Sequence, residues 1–158
     1  KFMCKNIALN KDFILRIRDC IKRKDWQSLV DNGGFELYLL PRWENFVHSL
    51  PKNPRYMFDE YLNDASKRKT IAGIVQNCSI ALELLARLTD ADELFINKTL
   101  ETNICIWGDE NDLSASFPKP HFWYYYRIPP EHIDYWSSDI AWLEKIAEKR
   151  GISLFCEK

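Results

Sequence analysis

Three histidines, His48, His121 and His132, are the first candidates for acid–base work, because imidazole changes charge near neutral pH. His121 opens a run matched by no other segment, His121-Phe122-Trp123-Tyr124-Tyr125-Tyr126-Arg127, and Glu131 and Asp134 stand beside His132. A histidine–carboxylate pair can serve as a base and its orienter, but covalent catalysis also needs a nucleophile. Ser137 and Ser138 read instead as helix caps, with Asp139 in the first turn, where a carboxylate complements the helix dipole. The serine elbow of the α/β-hydrolases, the paired-histidine zinc helix and the phosphate-binding P-loop are all missing from the sequence. A small enzyme or nucleic-acid-acting protein using His48, His121 or His132 is therefore the second reading rather than the first.

The segment Arg42-Trp43-Glu44-Asn45-Phe46-Val47-His48 resembles the arginine–histidine element of HEPN ribonucleases, which would imply RNA cleavage by Arg42 and His48. Trp43 stands where that family places a polar residue. The simpler expectation is a helix that packs Trp43, Phe46 and Val47 and leaves Arg42 and His48 at its edge.

The aromatic run offers a different chemistry. In a strand, successive side chains point to opposite faces, so Phe122, Tyr124 and Tyr126 would line one side and Trp123 and Tyr125 the other. Aromatics beside Arg127 could stack nucleotide bases, but the segment before them is acidic and would repel phosphate, so nucleic acid is not favoured. Tyrosine and tryptophan are also the preferred anchors of protein interfaces. Asp109-Glu110-Asn111-Asp112 starts like a calcium loop, yet the twelfth position from Asp109, where a bidentate glutamate belongs, is Pro120. At the tip of a turn these acids are solvated, or they form a negative prong for a basic partner. Asp109, Glu110, Asp112, Trp123, Tyr124 and Tyr125 are accordingly the expected partner-binding residues.

Composition narrows the field. Five glycines in 158 residues argue against glycine-rich phosphate loops. The five cysteines, Cys4, Cys20, Cys78, Cys105 and Cys156, show no metal or redox spacing and are expected to be free thiols. No metal or cofactor is expected. The formal charge of −1 gives no overall attraction to nucleic acid or membrane. Its distribution is uneven: Lys1–Val30 holds eight basic and three acidic residues, whereas Asp90–Ser116 holds seven acidic residues against Lys98. No apolar stretch approaches the ~18–20 residues of a membrane span. Lys5, Asn6, Asn10 and Lys11 interrupt any signal-peptide core, so a cytoplasmic location is expected.

These residues must be positioned by a largely helical chain, most simply one domain over residues 1–158. Asn10 caps a helix with the stripe Phe13, Ile14, Ile17, Cys20 and Ile21, and Asp25 starts a short helix that Gly33 and Gly34 end. Pro41 begins a third helix and Pro54 a fourth. The longest periodicity, Ser66–Leu88, predicts a central helix with Leu82 on its buried stripe. A short helix from Thr89 through Phe95 would follow. Thr102–Trp107 and His121–Ile128 predict a hairpin, Ile140, Leu143, Ile146 and Ala147 a helix, and Ile152–Cys156 a last strand. Segregated helices and strands mean α+β: a helical N-terminal two-thirds packed with a C-terminal β-hairpin, helix and final strand.

In size, absence of motif and wealth of aromatic and acidic residues, the chain resembles small bacterial immunity proteins, those paired with contact-dependent-inhibition toxins or bacteriocins. The resemblance implies a cytosolic protein that binds a cognate toxin domain and blocks its active site or a required contact.

Overall fold

The structure, a computed structural model, describes residues 10–50, 52–108 and 116–157. It is an α+β fold with far more helix than strand. Helix α1 (Lys11–Arg23) begins where the Asn10 side chain accepts from Phe13 N, and ends at Lys24 in the left-handed region. Asp25 then caps α2 (Trp26–Asp31) by accepting from Ser28 N. Gly33 turns the chain at φ +78°, a conformation that side-chain-bearing residues rarely adopt. Gly34 lies so close to Ile17 and Leu29 that an added Cβ would meet Ile17 Cδ1 at 2.4 Å. The apolar stretch Phe35–Leu39 is one π-helical turn that runs directly into α3 (Leu40–Ser49).

The predicted central helix over Ser66–Leu88 is corrected. Helix α4 (Phe58–Asn77) stops at Cys78, and α5 (Leu82–Lys98) starts afresh after four non-helical residues, Cys78 to Ala81, and runs unbroken past Thr89. One uninterrupted helix from Phe58 to Lys98 would be about 60 Å long, far too long to fold against a single core. The break sends α5 back along α3, where Leu88, Ala91 and Phe95 are buried. Leu82 is consequently 84% exposed and contributes nothing to the core, contrary to its expected place on the stripe. The fourth helix starts at Phe58 rather than Pro54.

The strands are shorter than expected and shifted. β1 (Leu100–Glu101) pairs antiparallel with β2 (Arg127–Ile128) in the register Leu100 to Ile128 and Glu101 to Arg127. The last strand reduces to one bridge, Thr102 to Phe155. The strand expected over His121–Ile128 is mainly a 3-10 turn, Trp123–Tyr125, closed by Tyr125 N to Phe122 O and Tyr126 N to Trp123 O. A strand would have needed two covered faces for its rings. The turn instead fans the rings in several directions, and each finds cover: Trp123 against Phe95, Tyr125 against Phe117 and Trp107, Tyr126 with its hydroxyl on Phe117 O. A second 3-10 turn, Pro130–His132, leads to α6 (Ser137–Lys149), which buries Ile140, Leu143, Ile146 and Ala147 as expected. Among the described residues, no helix is long and apolar enough to cross a membrane.

Candidate partner-binding face

Of the six residues expected to bind a partner, Asp109, Glu110 and Asp112 lie outside the described residues. Tyr124 and Tyr125 are corrected: both are buried, so neither offers a surface ring. The Tyr125 hydroxyl donates to Ser66 Oγ at 3.0 Å, and burial raises the pKa of both phenols. Trp123 is half-buried, with the Arg68 guanidinium 5.8 Å from its ring centroid. The run is a packing element between α4, α5 and the 116–122 segment.

The histidines are scattered. His48 and His121 are exposed, whereas His132 is fully buried. Arg42 lies over the Tyr38 ring at 4.9 Å and, six residues away on α3, projects about 120° around the helix from His48, so the two residues of the ribonuclease-like element point in different directions. Trp43 turns inward and its Nε1 donates to Asp92 at 3.0 Å. Among the described residues, no three of His, Cys, Asp and Glu come together as a metal would require.

A different surface brings charge and exposed apolar area together. Its base is Trp136, buried among Tyr56, Phe58, Tyr61 and His132. The indole stacks on His132 with ring centroids 4.4 Å apart and planes at 11°, and Nε1 donates to Tyr56 O at 2.8 Å. These contacts pin the 52–57 loop and the start of α4 to the Pro130–His132 turn and the start of α6. Met57, 58% exposed, and Tyr135, 56% exposed, flank the buried pair Tyr56 and Trp136 in sequence and face solvent.

Five carboxylates accompany them: Asp59 and Glu60 in the first turn of α4, Glu131 and Asp134 around the 3-10 turn, and Asp139 in the first turn of α6. The cations of the same two segments are Lys52 and Arg55. None of the five carboxylates forms an ion pair within the described residues. Glu60 reaches back to Met57 N, which satisfies one donor of the α4 end. Asp139 has its pKa raised above the ordinary aspartate value, first by burial and then by the negative charge of Asp59. The N-cap of α6 is Trp136 with no side-chain bond, so the expected capping by Ser137 or Ser138 is corrected.

Sequence reasoning noticed Glu131, Asp134 and Asp139 but assigned them to histidine chemistry or to a helix dipole. The eighty positions between Asp59 and Asp139 hide from the sequence that the charge of one reaches the other. The available signal was local: Asp59 and Asp139 each fall in the first turn of a helix, with Met57 and Tyr135 one and two residues before the respective starts. No family model, curated protein or solved structure matches this chain.

Proposed function

We propose that this chain is a binding protein that neutralises a basic protein partner, the role implied by its resemblance to small bacterial immunity proteins. The observation that carries the reading is the convergence of Asp59 and Asp139 from separate helices with no cation paired to either among the described residues. Like charges held together cost stability in the free protein, and a Lys or Arg of a partner relieves that cost on docking. Exposed Met57 and Tyr135 supply the apolar and aromatic contact that dominates interface energies, inside a rim of charge that orients the approach. A toxin domain acting on nucleic acid would present a basic surface of the kind this face complements.

The test uses the product of the gene adjacent to this one as the purified partner. Asp59→Lys with Asp134→Lys should slow association several-fold and flatten its salt dependence, because charges at an interface rim act mainly on the on-rate. Unchanged kinetics at both low and high salt would remove this face from the interface. Loss of a catalytic activity in a folded His48→Ala or His121→Ala variant would favour the enzyme reading instead.

A further inference from the structure

The end of the chain carries a second constellation, unrelated to the acidic face. Backbone bonds fix its position: Asn103 N donates to Leu154 O at 2.8 Å and Cys156 N to Glu101 O at 3.0 Å. They hold the half-buried Cys156 thiol where it donates to Asn103 Oδ1 at 3.0 Å, with Lys119 Nζ 3.5 Å from Sγ. Lys119 is also ion-paired with Glu101 and sits 5.7 Å from the Tyr126 ring centroid. Sulfur, amine and carboxylate thus meet at one point. Cys156 and Glu101 also line a cavity of about 230 Å³ together with Thr99 and Arg127, ample room for a small oxidant. The other described cysteines are set differently: Cys20 and Cys105 are buried, and burial raises the Cys78 pKa.

We propose that Cys156 and Lys119 are a peroxide-responsive pair that closes to a covalent sulfur–nitrogen link. Sγ attacks hydrogen peroxide, the O–O bond breaks, and sulfenic acid and water form; sulfur loses two electrons and peroxide gains them. Lys119 passes one proton to Glu101, and its freed lone pair attacks Sγ. The S–O bond breaks, and the hydroxyl leaves as water with a second proton from nitrogen. Lysine takes the place that a second thiol holds in disulfide formation, and a reductant with thiol groups reverses the step. The link ties the 116–122 segment to the C-terminal segment through side chains already in contact.

Hydrogen peroxide applied to the full chain, followed by peptide mapping without reduction, tests the pairing. The Cys156 and Lys119 peptides should appear joined, lighter by two hydrogens than their sum, and separate on adding dithiothreitol. Lys119→Arg keeps the positive charge but replaces the amine with a weakly nucleophilic guanidinium. Its Cys156 should stop at a sulfenic acid that dimedone traps, with a circular-dichroism spectrum like that of the parent. A wild-type Cys156 that stays reduced, oxidises past sulfenic acid without joining Lys119, or pairs with another cysteine overturns the proposal.

Discussion

Two regions of the molecule treat charge in opposite ways. Between α3, α4 and α5, the carboxylates that bridge helices, Glu44 and Asp92, each meet a guanidinium. Arg68 grips Asp92 through two bonds of 2.9 Å while Asp92 also accepts from Trp43 Nε1, and Arg87 binds Glu44 through two nitrogens. The Arg68 guanidinium additionally lies 5.7 Å from the Tyr124 ring centroid. Charges so arranged are structural, since each partner answers the desolvation of the other. At the starts of α4 and α6, by contrast, Asp59 lies near enough to Asp139 to raise its pKa, and neither has an ion-pair partner among the described residues. A fold that pairs its interior charges this thoroughly has no structural need for the unpaired set. The difference separates the charges that hold helices together from those left for a partner.

The comparison breaks most visibly at Asp92. Asp92→Ala leaves Arg68 and the Trp43 indole unpaired in a half-buried site and should cost about 3 kcal/mol in urea unfolding. A loss below about 1 kcal/mol would mean the pair is no more structural than the acidic rim. Tyr135→Ala should do the reverse, changing stability by less than about 0.5 kcal/mol because the ring is largely solvated. Its effect should fall on partner dissociation, weakening affinity by about 2 kcal/mol if the ring is an anchor.

The smallest effect is the most specific. The raised pKa of Asp139 means the folded protein binds this proton more readily than the unfolded chain does. The stability it contributes is present below the ordinary value of 3.8 and lost as pH rises through the folded value. Asp139→Asn should therefore stabilise the free protein at pH 7 by up to about 0.5 kcal/mol, and the gain should vanish below pH 3.8. Pairs of melting curves at both pH values check it. A destabilised variant at pH 7 would show that the carboxylate serves α6 rather than waits for a cation.

Much of the helical frame was legible because its signals are local. Asn10 and Asp25 cap the helices expected of them, and the stripes Ile17–Cys20 and Ile140–Leu143–Ile146–Ala147 are buried. The α4–α5 break was not legible, since Asn77-Cys78-Ser79 contains neither proline nor glycine and the apolar period continues across it. The candidate face was legible only in parts. Its acidic residues and Tyr135 could be seen singly, but Met57 and Asp59 belong to it through the packing of Trp136 on Tyr56 and Phe58 and its bond to Tyr56 O, eighty positions apart.

The sequence by itself determined the caps of the first two helices at Asn10 and Asp25, the apolar stripes of the first and last helices, and that helix outweighs strand, because caps and periodicity act within a few residues. Only the tertiary structure decided that the aromatic run turns inward instead of forming a strand. Five adjacent rings go wherever cover exists, and that cover comes from Phe95 and Arg68, both distant in the chain, as well as from nearby Phe117. It also decided that Asp92 meets Arg68 and Glu44 meets Arg87, for these charges pair across helices packed by their apolar faces, and no pattern along a single helix records those meetings.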